Sequence, residues 1–488
     1  MGSLPLRSVR APTVLAVAVV VAALQLACGQ PSASAPALGF PSDQLPITSK
    51  TRALSGCPVP RWPIEEEGAA PGRIEVTRIG RQRMQGWGAS VVTDTPVDPL
   101  VNPAGLSRAQ LGDIDRRIFV DAGIDLVRVF GTGYGYYKLI EAQPARADDR
   151  RFAFMRRVKR YGVRFMYTGA DAPKSQKRGK TLAPRREAAY ARYVAGYLRF
   201  ARDAMGVPFD YAAVANEPDN TKSLLVLSPP QTNVVYGALA AQLRRQGLAT
   251  KLVLGDTTGW GTACPYANWQ LRRPDLVRAA AAFATHPYRG TAGQSRAVAE
   301  LAGEAGVPVW QTEFGTGCAE CGDDPSMHGA IKWARKIAGA LTKAQASAWF
   351  AFRPVADITH GPGDALIVRD RSNKQRPYYT TKRFDVFRQY STAAPTGSQR
   401  IVVRNGVKGT LTVAFRKGGR LSIVLTNPST APKRAAFDLG DRSGVLAGRR
   451  TDARQGFAPI PPVNYSGKPV PLVLPPESVT TYELETAA

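Results

Sequence analysis

The sequence predicts an α/β chain: a (β/α)8 TIM barrel followed by a C-terminal antiparallel β-sandwich. Three observations predict it. Between Arg83 and Arg353, eight short apolar or β-rich runs alternate with amphipathic stretches. Those runs are apolar almost throughout, as strands of a parallel sheet covered on both faces must be. After Pro395 the texture changes to short runs of period-two alternation separated by turn residues, the pattern of an antiparallel sandwich. Eight units over about 270 residues match the size of a (β/α)8 barrel. An open doubly wound sheet is the rival arrangement.

The strand candidates, in order, are MQGWGASV from Met84, IDLVRVF from Ile124, VRFMYTG from Val163 and DYAAVANE from Asp210. KLVLGD from Lys251, AFATHPY from Ala282, VPVWQTEFG from Val307 and ASAWFAFRP from Ala346 follow. Helical segments lie between them. The segment from Ser107 starts at an N-cap serine and ends at Gly123. Those from Arg185 and Gly329 carry apolar residues at helical spacing. GTGYGYY from Gly131 lacks the G-x-G-x-x-G spacing of a dinucleotide site, and its aromatics suit a sugar-stacking loop better. Beyond Pro395, the runs starting near Arg400, Gly409, Arg420, Lys433 and Ser478 are sandwich strands, and GRIEVTRIGR from Gly72 is a strand able to join them. The organisation is therefore a leader at 1–28, a Pro/Ser/Ala linker at 29–71, a sandwich-joining strand at 72–82, the barrel at 83–395 and the sandwich at 396–488.

The leader has Arg7 and Arg10 ahead of VLAVAVVVAALQLAC, Val14 to Cys28. This run is short for a transmembrane helix and fits a signal-peptide core. It predicts a secreted or cell-envelope protein. LQLAC makes Cys28 a candidate lipid anchor, and Ala33–Ala35 is the alternative, ordinary cleavage site. Export permits disulfides among Cys57, Cys264, Cys318 and Cys321, and four cysteines allow three pairings. One C-x-x-C with three histidines falls short of a zinc site, so no metal or other cofactor is expected. The formal net charge is +27. Residues 146–192 hold 15 Lys/Arg against 4 Asp/Glu. Such a surface attracts anions. No nucleic-acid-binding motif accompanies the charge, so the readings are a solvated basic face or a contact with an acidic polymer.

In a (β/α)8 barrel the chemistry sits at the C-terminal ends of the strands. Strand 4 ends in ANEP with Glu217, and strand 7 in QTEFG with Glu313. They are 96 residues apart. Three barrel units of about 31 residues span about 94, which sets both acids at one mouth. Two carboxylates across a pocket are the minimum equipment for glycoside hydrolysis, provided environment separates their pKa values. Arg128, closing LVRVF on strand 2, is the candidate cation to keep Glu313 ionised. Asn216 is placed to hydrogen-bond a sugar 2-hydroxyl. His286 and Tyr288 from strand 6 are placed to orient the nucleophile and line the pocket. A serine hydrolase is excluded by the lack of a G-x-S-x-G elbow. A carbohydrate-binding barrel without chemistry is the remaining alternative.

These motifs resemble the clan A glycoside hydrolases and, more closely, glycoside hydrolase family 30. QGWGASVVTD is similar to that family's first strand, VANEPDN to its QNEPD, THPY to its strand-6 HxY and WQTEFG to its LTEYG. LPPESVTTYEL resembles the closing strand of its sandwich. The resemblance runs from about Gly72 to Leu484. It implies retaining β-glycoside hydrolysis on a polysaccharide or oligosaccharide, for example an endo-β-1,6-galactanase- or glucanase-like activity, by a chain that is monomeric. It makes Glu217 the acid/base, Glu313 the nucleophile and Asp94 a ligand of a sugar hydroxyl. Two departures remodel the pocket: Ala170 falls where the family has a tryptophan after strand 3, and Phe352 where a stacking tryptophan is expected on strand 8, with Trp349 nearby. Both Trp349 and Phe352 are therefore candidate sugar contacts. Trp87, Tyr134, Tyr136, Tyr137, Trp260 and Trp269 are further candidate platforms, several of them competing with a role in packing.

Overall fold

A computed structural model of the chain describes residues 56–61, 68–92, 98–131, 144–315, 325–358 and 365–485. The leader, Cys28, Asp94, the tyrosines of the 131–137 loop, Cys318 and Cys321 lie outside these residues. Arg52–Ala488 forms one compact unit.

The first strand, β1 (Arg73–Arg83), precedes the barrel. The eight sequence-predicted runs then become the eight strands of a closed parallel barrel. They are β2 (Gly86–Val91), β3 (Leu126–Phe130), β4 (Arg164–Thr168), β7 (Tyr211–Ala213), β8 (Lys251–Gly259), β9 (Ala280–Arg289), β10 (Val309–Phe314) and β11 (Ala346–Ala351). A short hairpin, β5 (Lys177–Arg178) with β6 (Thr181–Leu182), follows β4. The sheet closes by pairing β11 with β2, which excludes the open-sheet alternative.

Helices complete the units. α1 (Arg108–Arg116) starts where the sequence predicts, at Ser107, which forms a capping box with Gln110. The next five residues widen into a π-turn, and the chain reverses at Gly123 with φ +63°. α2 (Pro144–Lys159), α3 (Glu187–Asp203), α4 (Pro229–Arg245), α5 (Trp260–Gln270), α6 (Pro274–Ala279), α7 (Ala292–Glu304), α8 (Met327–Thr342) and α9 (Lys382–Ala393) follow in turn. A three-stranded sheet, β12 (Val355–Asp357), β13 (Ile367–Arg369) and β14 (Tyr378–Thr380), sits between β11 and α9. The alternating pattern gave no sign of it.

The barrel interior is layered. Leu126, Met166, Ala213, Val253, Ala282, Ala284, Trp310, Ala348 and Phe350 form an apolar floor. Above it, toward the strand C-termini, stand buried Ser90, Arg128, Thr168, Asp256, His286 and Thr312. Burying so many polar groups is costly unless each finds partners, and the partners they find make the site.

The β-rich layer is one nine-stranded sheet: β1 with β15 (Gln399–Asn405), β16 (Leu411–Lys417), β17 (Arg420–Asn427), β18 (Lys433–Asp438), β19 (Ser443–Thr451), β20 (Ala458–Ser466), β21 (Val470–Leu474) and β22 (Ser478–Glu485). Phe437 on β18 meets Tyr482 on β22, with ring centroids 6.2 Å apart, although the two strands are five places apart in the sheet. The sheet therefore folds over a shared apolar core, as a sandwich does. β1 joins it as predicted, antiparallel to β15 but parallel to β18, so the layer is not antiparallel throughout. Side chains alternate: Ala414, Ile423 and Leu425 face this core. Val413, Phe415, Val424 and Val479 instead join the core around α8 and α9. Three strands, β19 to β21, are not among the predicted runs. β20 carries Pro459, Pro461 and Pro462, and β21 carries Pro471. These two strands are the sheet's edges, where proline's missing donor costs no ladder bond.

Of the cysteines, Cys57 pairs with Cys264 on α5. Asn268 Nδ2 donates to Gly56 O, and the Arg61 main-chain N–H and guanidinium bind Glu300. Residues 56–61 are thereby strapped to the barrel flank at α5 and α7. The basic segment is partly neutralised by carboxylates packed against it. Arg157 pairs with Asp115, Arg164 with Asp125 and Lys177 with Asp171, whereas Arg178, Arg185 and Arg186 remain exposed. No helix among the described residues is long and apolar enough to cross a membrane.

Candidate active site

The turn after β7 carries Asn216 and Glu217. Its approach depends on Gly169 at the end of β4, where an added Cβ would lie 2.2 Å from Val214 O. Gly169 N–H donates to Ala213 O, and Asn216 N–H returns to Gly169 O at 2.7 Å. Glu217 then adopts φ +47°, and its N–H donates to Asp256 O at 2.8 Å. Asp256, on β8, has φ +61°. Two non-glycine residues in the left-handed region, bonded to each other, are a local strain that the surrounding network must hold. Pro218 leads the chain out of the mouth. Asp219 accepts from Thr258 N–H at 2.9 Å, which ties this turn to the end of β8.

Arg128 is fully buried and binds several residues at once. Nη1 donates to Glu313 Oε2 at 2.9 Å. Nη2 donates to Asp256 Oδ2 at 2.9 Å and to Asn216 Oδ1 at 2.5 Å. Tyr288 O–H donates to Glu313 Oε1 at 3.0 Å, so both oxygens of Glu313 accept bonds suited to its ionised form. Burial and then the Glu313 charge push the Tyr288 hydroxyl well above its ordinary pKa, keeping it a donor.

Glu217 has different partners. His286 Nδ1 lies 2.9 Å from Oε1, and Asn220 Nδ2 donates to Oε2 at 2.7 Å. One carboxylate oxygen of Glu217, one of Glu313 and a ring nitrogen of His286 lie within 4.8 Å of one another. Three such atoms can also hold a cation. Here both ring nitrogens already face carboxylates, and a guanidinium sits on Glu313, so the grouping reads as a proton-handling site.

Asp256 is the residue that sequence reasoning missed. It is fully buried. It accepts from Arg128, from Thr168 Oγ1 at 2.7 Å and from Thr312 Oγ1 at 2.6 Å, and His286 Nε2 stands 3.4 Å from its Oδ1. Burial raises its carboxyl, but Arg128, then His286 and Thr312, hold it far below the usual carboxylate range. The cluster has a definite charge order. Burial disfavours the His286 cation, yet Glu313, Asp256 and Glu217 push its pKa up to about 10. Burial likewise raises Glu217, but the bond and charge of His286, then Asn220 and Arg128, bring it below the ordinary glutamate value. Both shifts favour a Glu217 carboxylate beside a His286 imidazolium.

The structure brings Glu217, Glu313, Arg128, Asn216, His286 and Tyr288 together. It does not bring Trp349. That indole is fully buried and packs against Phe314, Trp333 and Phe387 on the helix side of the barrel wall. The reason is strand parity. On β11, Ala348 and Phe350 point into the barrel, so Trp349 between them must point out. Phe352 keeps the inward parity, is half-buried beyond the strand end, and is tied by its N–H to Phe314 O at 2.7 Å. Trp87 is core: its Nε1 donates to Ala394 O, and its ring meets Phe387. Ala170 is buried beside the mouth.

No protein-family model matches the sequence, and no curated protein matches it. Solved structures do. The family 30 subfamily 8 xylanase of Clostridium acetobutylicum aligns over 85% of this chain and 100% of its own, with a TM-score of 0.68 at 19% identity. The fold is that of the family 30 glycoside hydrolases. An endo-β-1,6-glucanase aligns over 86% of this chain and 94% of its own, with a TM-score of 0.65 at 17% identity. A conserved exported protein from Bacteroides fragilis aligns over 84% and 100%, with a TM-score of 0.70 at 15% identity. This family 30 fold extends over both the barrel and the β-layer, as the breadth of these alignments requires.

Proposed function

We propose that the chain is a retaining β-glycoside hydrolase of the family 30 type, with Glu313 as nucleophile and Glu217 as acid/base. One observation carries the reading: the two carboxyl groups share one mouth with oxygens within 4.8 Å, and their partners differ in kind. Retention needs carboxyl groups about 5–5.5 Å apart, whereas inversion needs about 6.5–9.5 Å to admit a water. Glu313, paired with Arg128 through Oε2, attacks the anomeric carbon as the glycosidic C–O bond breaks. Glu217 gives a proton to the departing oxygen. Water then cleaves the glycosyl ester while Glu217 accepts its proton. Asn216 is held by Arg128, which leaves its amide nitrogen to reach a sugar 2-hydroxyl; Phe352 offers an apolar contact, and Asp94, outside the described residues, keeps the sugar-hydroxyl role that the resemblance implies.

The substrate is a polysaccharide, as for the xylanase and the endo-β-1,6-glucanase that share the fold. Exposed Arg178, Arg185 and Arg186 near the β5–β6 hairpin favour a polymer carrying some acidic groups. The Cys57–Cys264 disulfide fits an oxidising compartment and so supports export, with Cys28 as a lipid anchor.

Glu217→Ala tests the assignment on a panel of aryl β-glycosides. Poor leaving groups are expected to lose about 10²–10⁴-fold in kcat/KM, the usual size of general acid catalysis, and activated ones far less. Equal losses across the panel would remove Glu217 from the proton-donor role. Binding of polysaccharide without turnover in the unmodified chain would favour a non-catalytic carbohydrate-binding barrel instead.

A further inference from the structure

A general acid must carry a proton when the sugar arrives, yet the partners of Glu217 favour its carboxylate. Three carboxylates, those of Glu217, Glu313 and Asp256, surround His286 with one guanidinium, Arg128, among them, and despite burial they push the ring's pKa up to about 10. His286 Nδ1 and Glu217 Oε1 stand 2.9 Å apart, a hydrogen-bond distance across which one proton is shared. His286 is fully buried. The charged and titratable groups around it are Glu217 beyond β7, Asp256 on β8, Glu313 on β10, Arg128 on β3 behind Asp256, and Tyr288 on its own strand, with ring centroids 5.8 Å apart. Lys336 of α8 binds the outer side of the strand at Pro287 O.

We propose that the proton Glu217 delivers is stored on His286 Nδ1, and that Asp256 is the positioning residue that aims the ring at Glu217. This rests on the hydrolase reading above. When sugar displaces water from the mouth, an adjacent pair of opposite charges loses solvation, and the neutral pair gains relative to it. The Nδ1–H bond breaks as Glu217 Oε1–H forms, leaving a neutral ring and a neutral acid. That proton passes to the leaving oxygen as its bond to the anomeric carbon breaks and Glu313 forms the ester. In the second half, water bonds to the anomeric carbon, the ester opens, and the water proton goes to Glu217 and back to Nδ1. Atoms and charges return to the starting state. Asp256 acts through others: its Oδ1 lies 3.4 Å from Nε2, a charge contact and not a hydrogen bond, and it holds Arg128, so it steers the ring by charge without touching the sugar.

The chain has three histidines, so ¹⁵N-imidazole NMR of the whole protein resolves them. His286 is expected to stay protonated well above the ordinary imidazole pKa of about 6.5, and Asp256→Asn to lower its titration by at least about one pH unit. The alkaline limb of kcat/KM should fall by a similar shift in Asp256→Asn, with poor leaving groups losing more rate than activated ones. His286→Gln, which keeps a donor but no titrating proton, should lower the same limb and guards against misfolding of the first variant. A His286 that titrates as an ordinary imidazole, at about 6.5, in the unmodified chain, or an alkaline limb unmoved in a folded variant, overturns the proposal. The titration needs no substrate. A protonated His286 in a chain that hydrolyses no glycoside would refute the hydrolase reading alone, whereas an active enzyme with a neutral His286 would refute the proton store alone.

Discussion

Glu313→Ala is expected to reduce turnover of activated aryl β-glycosides by about 10⁴-fold or more, because covalent catalysis loses its only nucleophile and no other step can compensate. The side chain is nearly buried and its two oxygens are spoken for by Arg128 and Tyr288. Removing it therefore does more than delete a reactive oxygen. It leaves a buried guanidinium short of one carboxylate and the Tyr288 hydroxyl short of its acceptor. Asp256 still pairs with Arg128 at 2.9 Å, so the fold should survive with lowered stability. Steady-state kinetics beside a thermal melt separates the two effects: a folded variant that retains normal turnover is the outcome that excludes Glu313 as nucleophile. Activated leaving groups are the right substrates here, since they need no proton from Glu217 and isolate the nucleophile.

The second large effect is at Arg128. Its guanidinium binds Glu313, Asp256 and Asn216, and its carbon sits over the Phe130 ring at 4.6 Å. Arg128→Ala leaves two carboxylates buried at one point without the guanidinium that bridges them, and with only His286 nearby. Breaking a buried pair by removing one partner costs about 3–5 kcal/mol, and here two pairs share the lost cation, so the upper part of that range is expected in chemical denaturation. The surviving carboxylates also repel, which adds to the loss of stability. Arg128→Lys restores charge but not the fork that spans Glu313 and Asp256, so it should recover stability better than rate. A Lys variant with full activity would mean that charge alone suffices. An Ala variant with unchanged stability would show that the buried pairs contribute little.

Much of this site was readable from the sequence, and the reason is geometric. Strand C-termini share one face of a parallel barrel, so a reactive residue closing a run of apolar ones has a known direction. Glu217, Glu313 and Arg128 each close such a run. Asp256 closes one as well, in LGD, but a lone aspartate after a glycine reads as a turn cap. Its inward aim depends on a left-handed backbone at φ +61° and on three partners from distant strands. Asn220 was hidden for the opposite reason: its bond to Glu217 is local, three residues along one turn, and asparagine there is an ordinary turn residue. Trp349 was misassigned by one step of strand parity. The alternation in SAWFAF carries the answer, since Phe350 and Phe352 share a face and Trp349 has the other. The edge strands β20 and β21 escaped because proline masks the β pattern, and β12–β14 because strands of three residues are too short to show one.

The central claim is that Glu217 and Glu313 act on opposite ends of one bond with retention, and the configuration of the first product tests it most directly. Proton NMR of the anomeric region should be followed from the start of hydrolysis, on whichever β-linked polysaccharide a product-analysed screen selects. With carboxylate oxygens within 4.8 Å, the β-anomer is expected first, with the α-anomer rising only as the free sugar mutarotates. An α-anomer appearing first would contradict the account, since it requires a water between the two carboxyl groups where the structure brings their oxygens together.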